Sequence, residues 1–198
     1  MTTEAAGSSL RDRKKRDTRA RIHRAAVSLA LARGVGDVTV EEVAAAAEVS
    51  PRTFFNYFAT KESALVGEDP EVAEHLTRAV AERPGDESVA TALRAVVTAR
   101  VAALEADDET WRMRRELADR SPELAARLAG AGLRLETALV RAAYARTGTD
   151  PAVDLATGVA ARVTMAVVRA AFDQHRAAGH AGSVTERLEA AFAAVPHA

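Results

Sequence analysis

No cysteine occurs among the 198 residues, which removes disulfide frameworks, thiolate zinc ligands and cysteine catalysis together. Aromatic residues are also scarce, at 4% against 48% hydrophobic residues in all, with alanine carrying much of the difference. Alanine is the best helix former, and few stretches alternate β-branched and polar residues as a strand does. An all-α fold is expected. Neither sign of charge dominates, and a formal net charge of −1 argues against a general nucleic-acid binder. Arg162 and Arg169 interrupt the most apolar stretch, so no run of membrane-spanning length is expected. The charged N-terminal segment is not followed by the apolar core of a signal peptide. A soluble cytoplasmic protein with no membrane partner is the expectation.

What is present is unevenly distributed. Leu10 to Arg24 holds eight bases (Arg11, Arg13, Lys14, Lys15, Arg16, Arg19, Arg21 and Arg24) and two acids (Asp12 and Asp17), a local charge of 8 − 2 = +6. Residues 1–65 carry 11 bases and 8 acids, net +3, which leaves 16 and 20, net −4, for residues 66–198. A basic end on an acidic body suits a DNA-binding head attached to a body that does not bind DNA.

The stretch from Thr39 to Lys61 reads as two short helices meeting at a corner. Thr39 followed by Glu42 is a capping box, and Val43, Ala44 and Ala47 repeat at helical spacing. Glu48-Val49 is the corner. Ser50 caps a second helix, with Pro51 in its first turn where the missing N–H costs nothing. That helix carries Arg52, Thr53, Phe54, Phe55, Asn56, Tyr57 and Phe58, and Thr60-Lys61-Glu62 starts a third. This is the pattern of a helix-turn-helix.

The remaining chain reads as helices with short breaks, about nine in all. Residues 1–9 are expected to be disordered and residues 1–16 to form a flexible basic arm. A first helix over 17–33 buries Ile22, Ala25, Ala26, Leu29 and Ala30, and Gly34 and Gly36 end it. Glu68-Asp69-Pro70 kinks or interrupts the helix begun at Lys61. Further helices are expected from Ser88, from Asp107-Asp108, from Ser121-Pro122 to about Thr147, from Asp150-Pro151 to near Gly179, and from Ser183 to Val195. In the helix after Pro151, Arg162, Arg169, Asp173 and Arg176 form a narrow polar stripe, and apolar residues cover most of the remaining circumference. Such a helix is either buried between a core and a subunit partner or runs through the middle of one domain.

Basic helix 1, Thr39-Val40-x-x-Val43-Ala44, Val49-Ser50, Thr53-Phe54-Phe55-x-Tyr57-Phe58 and Lys61-Glu62 together resemble the DNA-binding head of the tetracycline-repressor (TetR) family in order and spacing. The resemblance covers the first sixty-odd residues. It implies a helix-turn-helix domain over 17–65, a ligand-binding and dimerisation domain over 66–198, and a homodimer whose heads read an inverted repeat in successive major grooves. One departure is Glu48, where the family usually has glycine, so a strained or differently shaped corner is expected.

On this reading the second helix of the motif enters the major groove. Arg52 is the best base reader because its planar fork matches guanine, unless it is simply a solvated helix residue. Thr53 and Asn56 reach base edges or phosphates, and Phe55 meets a thymine methyl or joins the core. Phe54 and Phe58 belong to the core. Tyr57 and Lys61 hold phosphates, as the resemblance implies, and Thr39 combines its cap with a phosphate bond. Arg11 to Arg16 follow the backbone or enter the minor groove and supply salt-dependent affinity.

No motif in the body identifies an effector. The residues suited to line a pocket are His75, Arg100, Trp111, Arg115, Tyr144 and Arg162, each of which serves equally well as an ordinary core aromatic or surface group. The resemblance implies dimerisation through the last two helices, which places Val159, Val163, Val167, Leu188 and Phe192 at the interface. The five histidines (His23, His75, His175, His180 and His197) show no HxxxH or HxxE spacing, so neither a metal nor a cofactor is expected beyond an unidentified small molecule. Gly130-Ala131-Gly132 sits in a helical pattern without the preceding strand of a phosphate loop. The function expected is a transcriptional repressor released from DNA by a small molecule. Two alternatives are a DNA-binding regulator controlled by a protein partner, and an all-α enzyme.

Overall fold

The computed structural model describes residues 3–195, without the side chains of residues 3–9, 11, 12 and 108. The disorder expected at residues 1 and 2 and the phosphate role of the Arg11 side chain therefore lie outside the described residues. Among the described residues there are ten helices and no strand: α1 (Thr3–Arg33), α2 (Val40–Ala46), α3 (Pro51–Tyr57), α4 (Lys61–Val66), α5 (Val72–Ala81), α6 (Val89–Ala106), α7 (Asp108–Arg120), α8 (Pro122–Thr147), α9 (Leu155–Ala177) and α10 (Val184–Ala194).

Three boundaries differ from the sequence reading, each for a local reason. Helix α1 begins well upstream of Asp17, in the stretch read as a flexible arm; no glycine or proline lies between Ser8 and Arg33 to stop it. The break at Glu68-Asp69-Pro70 is complete and produces the tenth helix. Gly67 takes a left-handed φ of 73° at the end of α4, and α5 restarts at Val72. Helix α9 begins at Leu155, not at Pro151. Asp150 accepts the Ala152 N–H to form a turn, and Asp154 is the residue whose carboxylate caps the helix through the Thr157 N–H.

The chain divides into two compact units. One comprises the chain up to Asp69 together with Glu109–Ala131; the other comprises Pro70–Asp108 together with the chain from Gly132. Helix α7 and the start of α8 thus belong with the helix-turn-helix. In this first unit, Ile22, Ala26 and Ala30 of α1 pack with Val43 and Ala44 of α2, Phe54 of α3 and Phe58 just beyond it, Leu65 of α4, Leu117 of α7 and Leu124 of α8. Ala25 and Leu29 are partly buried against the same core.

The second unit is built around Leu76 and Val80 of α5, Leu93 and Val97 of α6, Leu139 and Ala143 of α8, and Ala161 and Met165 of α9. Helix α9 packs on α6 and α10. By length and composition alone α9 is apolar enough to cross a bilayer, despite Arg162 and Arg169, contrary to the sequence expectation. Its apolarity on one side is instead that of a core helix. Its polar stripe faces out: Arg169 pairs with Glu136 of α8 at 2.6 Å and Arg176 with Asp173 at 3.7 Å. Two polar fixtures hold this unit. Arg146 of α8 donates to the carbonyls of Val80, Arg83, Pro84 and Glu87, which closes the loop between α5 and α6. Glu105 of α6 accepts from the Ser183 hydroxyl (2.9 Å) and from the Val184 (2.9 Å) and Thr185 (3.3 Å) N–H groups at the start of α10. Gly130-Ala131-Gly132 lies inside helix α8, so it forms no phosphate loop.

Candidate nucleic-acid interface

The geometry of the motif starts with its caps. Thr39 accepts the Glu42 N–H at 3.2 Å, and Glu42 returns the bond by accepting the Thr39 N–H at 3.0 Å. The Thr39 hydroxyl also donates to Glu42 (3.0 Å), and Arg33 at the end of α1 pairs with the same carboxylate at 2.7 Å. The Glu42 carboxyl is held below its ordinary pKa by the Thr39 backbone bond first and the Arg33 bond second. Glu48 takes a left-handed φ of 53° at the corner, the conformation for which glycine is the natural occupant. Ser50 then caps α3 by accepting the Thr53 N–H at 3.0 Å, and its hydroxyl meets that of Thr53 at 2.9 Å.

Helix α3 has two unlike sides. Phe54 and Phe58 are buried, with ring centroids 6.1 Å apart. Arg52, Phe55 and Asn56 stand on the exposed side, with Thr53 and Tyr57 half-buried between. Phe55 is 55% exposed, its ring edge-on to Phe54 at 5.5 Å. Burying so large a ring removes apolar area worth about 2–3 kcal/mol, so its position outside the core is a feature to be explained. Arg13, Lys14, Lys15 and Arg16 are all exposed on α1.

Lys61, expected at this surface, and Arg19 of the basic stretch are both half-buried and make contacts within the first unit. Lys61 donates its three ammonium hydrogens to the carbonyls of Val35 (3.1 Å), Gly36 (3.3 Å) and Val38 (2.9 Å). The ammonium expected at a phosphate thus closes the loop between α1 and α2. Arg19 places its guanidinium 4.9 Å from the Phe58 ring and 5.8 Å from the Tyr57 ring while donating to the Glu68 carbonyl at 2.7 Å. Sequence reading did not single out Arg19; its i, i+3 relation to buried Ile22 was the available signal. Two further donors meet the end of α4: the His23 Nδ1–H on the Ala64 carbonyl (2.7 Å) and Arg114 on the Val66 carbonyl (3.1 Å).

The six residues suited to a pocket are divided between the units. Trp111 is buried beside the helix-turn-helix, with Arg114 and Arg115 at 4.9 and 5.0 Å from its ring. His75, Arg100, Tyr144 and Arg162 belong to the second unit; His75 lies 4.0 Å from Glu71. Tyr144 and Arg162 come together in an open hollow of about 570 Å³ with Val140, Arg141, Pro151, Leu155, Gly158 and Val159. The Tyr144 hydroxyl donates to the Asp154 carbonyl at 2.8 Å and passes directly over Gly158. The Asp154 carboxyl is lowered to about 2 by the Thr149 hydroxyl first, then by the hydroxyl and N–H of Thr157. A smaller open hollow of about 390 Å³ lies between α5 and α8 and includes Glu74, Thr77, Arg134 and Arg141. Among the described residues, no group of three or more His, Asp or Glu is placed to hold a metal ion.

Of the residues expected at a dimer interface, Val159 and Val163 are exposed, at 47% and 41%, and Leu155 beside them is 77% exposed. Val167 and Leu188 are buried within this chain, so their side chains serve its own core. Phe192 packs partly on that core with Arg94 at 5.1 Å over its ring.

A capped two-helix motif with a basic flank, carried beside a separate helical unit, defines a helix-turn-helix protein. Residues 22–66 match the bacterial regulatory proteins of the tetR family, and residues 87–197 match the MftR C-terminal domain. The chain belongs to the TetR family of bacterial regulatory proteins. It is 37% identical over 150 residues to the HTH-type transcriptional regulator TcmR of Streptomyces glaucescens, a match spanning 73% of this chain and 66% of that protein. It is similar in structure to SmeT, the repressor of the Stenotrophomonas maltophilia multidrug efflux pump SmeDEF, in its complex with triclosan. There the TM-score is 0.55 at 21% identity, over 90% of this chain and 91% of that one. NalD, the secondary repressor of the MexAB-OprM multidrug efflux pump in Pseudomonas aeruginosa, gives a TM-score of 0.54 at 18% identity over 91% and 96% of the two chains. At these identities the structural likeness is one of fold.

Proposed function

We propose that this protein is a homodimeric, sequence-specific DNA-binding transcriptional repressor of the cytoplasm, released from an inverted-repeat operator by a small-molecule effector. The observation that carries the reading is the two-sidedness of α3: Phe54 and Phe58 lock one side into the core, and Arg52, Phe55 and Asn56 stand exposed on the other. A rigidly held short helix with an arginine in its first turn is the form in which protein reads the major groove. Arg52 bonds a guanine, Asn56 and Thr53 contact base edges or phosphate, and Phe55 covers a thymine methyl. Tyr57 and Thr39 hold phosphates. Arg13 to Arg16 add affinity that is blind to sequence and sensitive to salt.

The effector reading rests on the hollow between α8 and α9. Val140, Leu155 and Val159 offer apolar surface, and Arg141 and Arg162 suit an anionic group. Leu155 and Val159 also lie on the exposed apolar stripe of α9 with Val163. A second copy packed on that stripe roofs the hollow, so dimerisation and effector binding share residues. Release of DNA is a population shift, limited by the difference in effector affinity between the two states. The relatives' ligands support a small molecule only in kind: SmeT is known in complex with triclosan. Catalysis has no part in this reading.

Salt titrations of two variants test it. Arg16→Ala weakens binding to operator and scrambled duplex alike and lowers the salt slope by about 0.9. Arg52→Ala relaxes preference at one base of each half-site, by about 1–3 kcal/mol. Identical behaviour of the two variants on both duplexes contradicts the assignment.

A further inference from the structure

Arg19 belongs to the basic stretch from Leu10 to Arg24, and its guanidinium makes three contacts within the first unit. It lies 4.9 Å from the Phe58 ring, 5.8 Å from the Tyr57 ring, and 2.7 Å from the Glu68 carbonyl. Phe58 caps the end of α3, and Tyr57 is its last helical residue. Glu68 lies in the turn beyond α4, just before the chain passes into the second unit at Pro70. A guanidinium can do both things at once because its face takes the rings while its edge donates. An ammonium has no such face.

We infer that Arg19 is a positioning residue: it fixes the orientation of the recognition helix from behind, through Tyr57 and Phe58, and ties that orientation to the turn at Glu68. The inference rests on the DNA-binding reading. On this inference the guanidinium is held away from phosphate and releases no counterion, unlike that of its exposed neighbour Arg16. Its contribution is to sequence preference. Correctly aimed base contacts separate operator from other DNA, and a recognition helix free to tilt loses that discrimination before it loses non-specific affinity.

The experiment compares Arg19→Met, Arg19→Lys and Arg16→Met with the parent protein, measuring affinity for operator and for scrambled duplex over a range of salt. For both Arg19 variants the operator-to-scrambled ratio is expected to fall about tenfold, with the slope on scrambled DNA unchanged. Arg16→Met is expected to lower that slope by about 0.9 and to leave the ratio nearly intact. General loss of stability lowers the folded fraction and weakens both duplexes equally, so the ratio does not report it. A ratio unchanged in Arg19→Met overturns the inference. So does a slope lowered in Arg19→Met and restored in Arg19→Lys, the result for a phosphate contact. A parent protein that prefers no duplex overturns the underlying reading and the inference with it.

Discussion

The imidazole of His23, on α1, lies against the bare Cα of Gly67 while its Nδ1–H donates to the Ala64 carbonyl at 2.7 Å. A Cβ built on Gly67 would stand 3.0 Å from His23 Cε1, and the backbone there has a φ of 73°. Gly67→Ala therefore meets both a left-handed backbone and a crowded ring. It is expected to destabilise the protein by about 2 kcal/mol, read as a lower urea midpoint at unchanged m-value. A neutral result means that His23 is not seated there.

Glu105 fastens the start of α10. Burial raises its carboxyl, but bonds from Thr185, Ser183 and Val184 outweigh this and hold it below the ordinary range. A carboxylate with a lowered folded pKa contributes stability that is present above its unfolded value, about 4.3, and is lost as pH falls through the folded one. Glu105→Gln should cost about 1–2 kcal/mol at neutral pH and flatten the acid side of the stability profile. Thermal unfolding of both proteins from pH 7 down to the acid transition checks this, and parallel profiles count against it.

Gly158 leaves no room for a Cβ. A Cβ there would fall 2.5 Å from the Tyr144 hydroxyl and 3.2 Å from an Arg162 guanidinium nitrogen. Gly158→Ala must displace Tyr144 from the Asp154 carbonyl and is expected to cost about 1–3 kcal/mol. Combined with Tyr144→Phe, which removes the clashing oxygen, the loss should be less than the sum of the two single losses. Strict additivity would place Tyr144 elsewhere.

Glu48 holds its φ of 53° without the freedom of glycine. Glu48→Gly relieves that strain and is expected to stabilise the protein by up to about 1 kcal/mol, the left-handed cost offset in part by glycine's unfolded-state entropy. Equilibrium urea unfolding decides the sign, and a destabilised variant would show that Glu48 makes contacts worth more than the strain.

How far the sequence could be read depended on the reach of each interaction. The caps at Thr39 and Ser50 bond residues three positions away, and both were legible in the spacing of residue types. The unusual corner at Glu48 was expected from the resemblance, since the family usually places glycine there. Lys61 was not: its carbonyl partners at Val35, Gly36 and Val38 come from a loop that only the folded core brings near. Asp154 and Asp150 each precede a helix-compatible run, and only the turn closed on Ala152 decides which one caps α9. The exposed valines at 159 and 163 could not be told from Val167 by composition. The difference lies in which side of α9 faces α6 and α10.

Selection of bound duplexes from a random DNA pool by the purified protein, at fixed near-physiological salt, tests the central claim most directly. An enriched inverted repeat, with half-sites about one helical turn or a multiple apart, is the predicted result. A folded dimer that enriches no sequence would contradict the assignment of α3 as a reading helix.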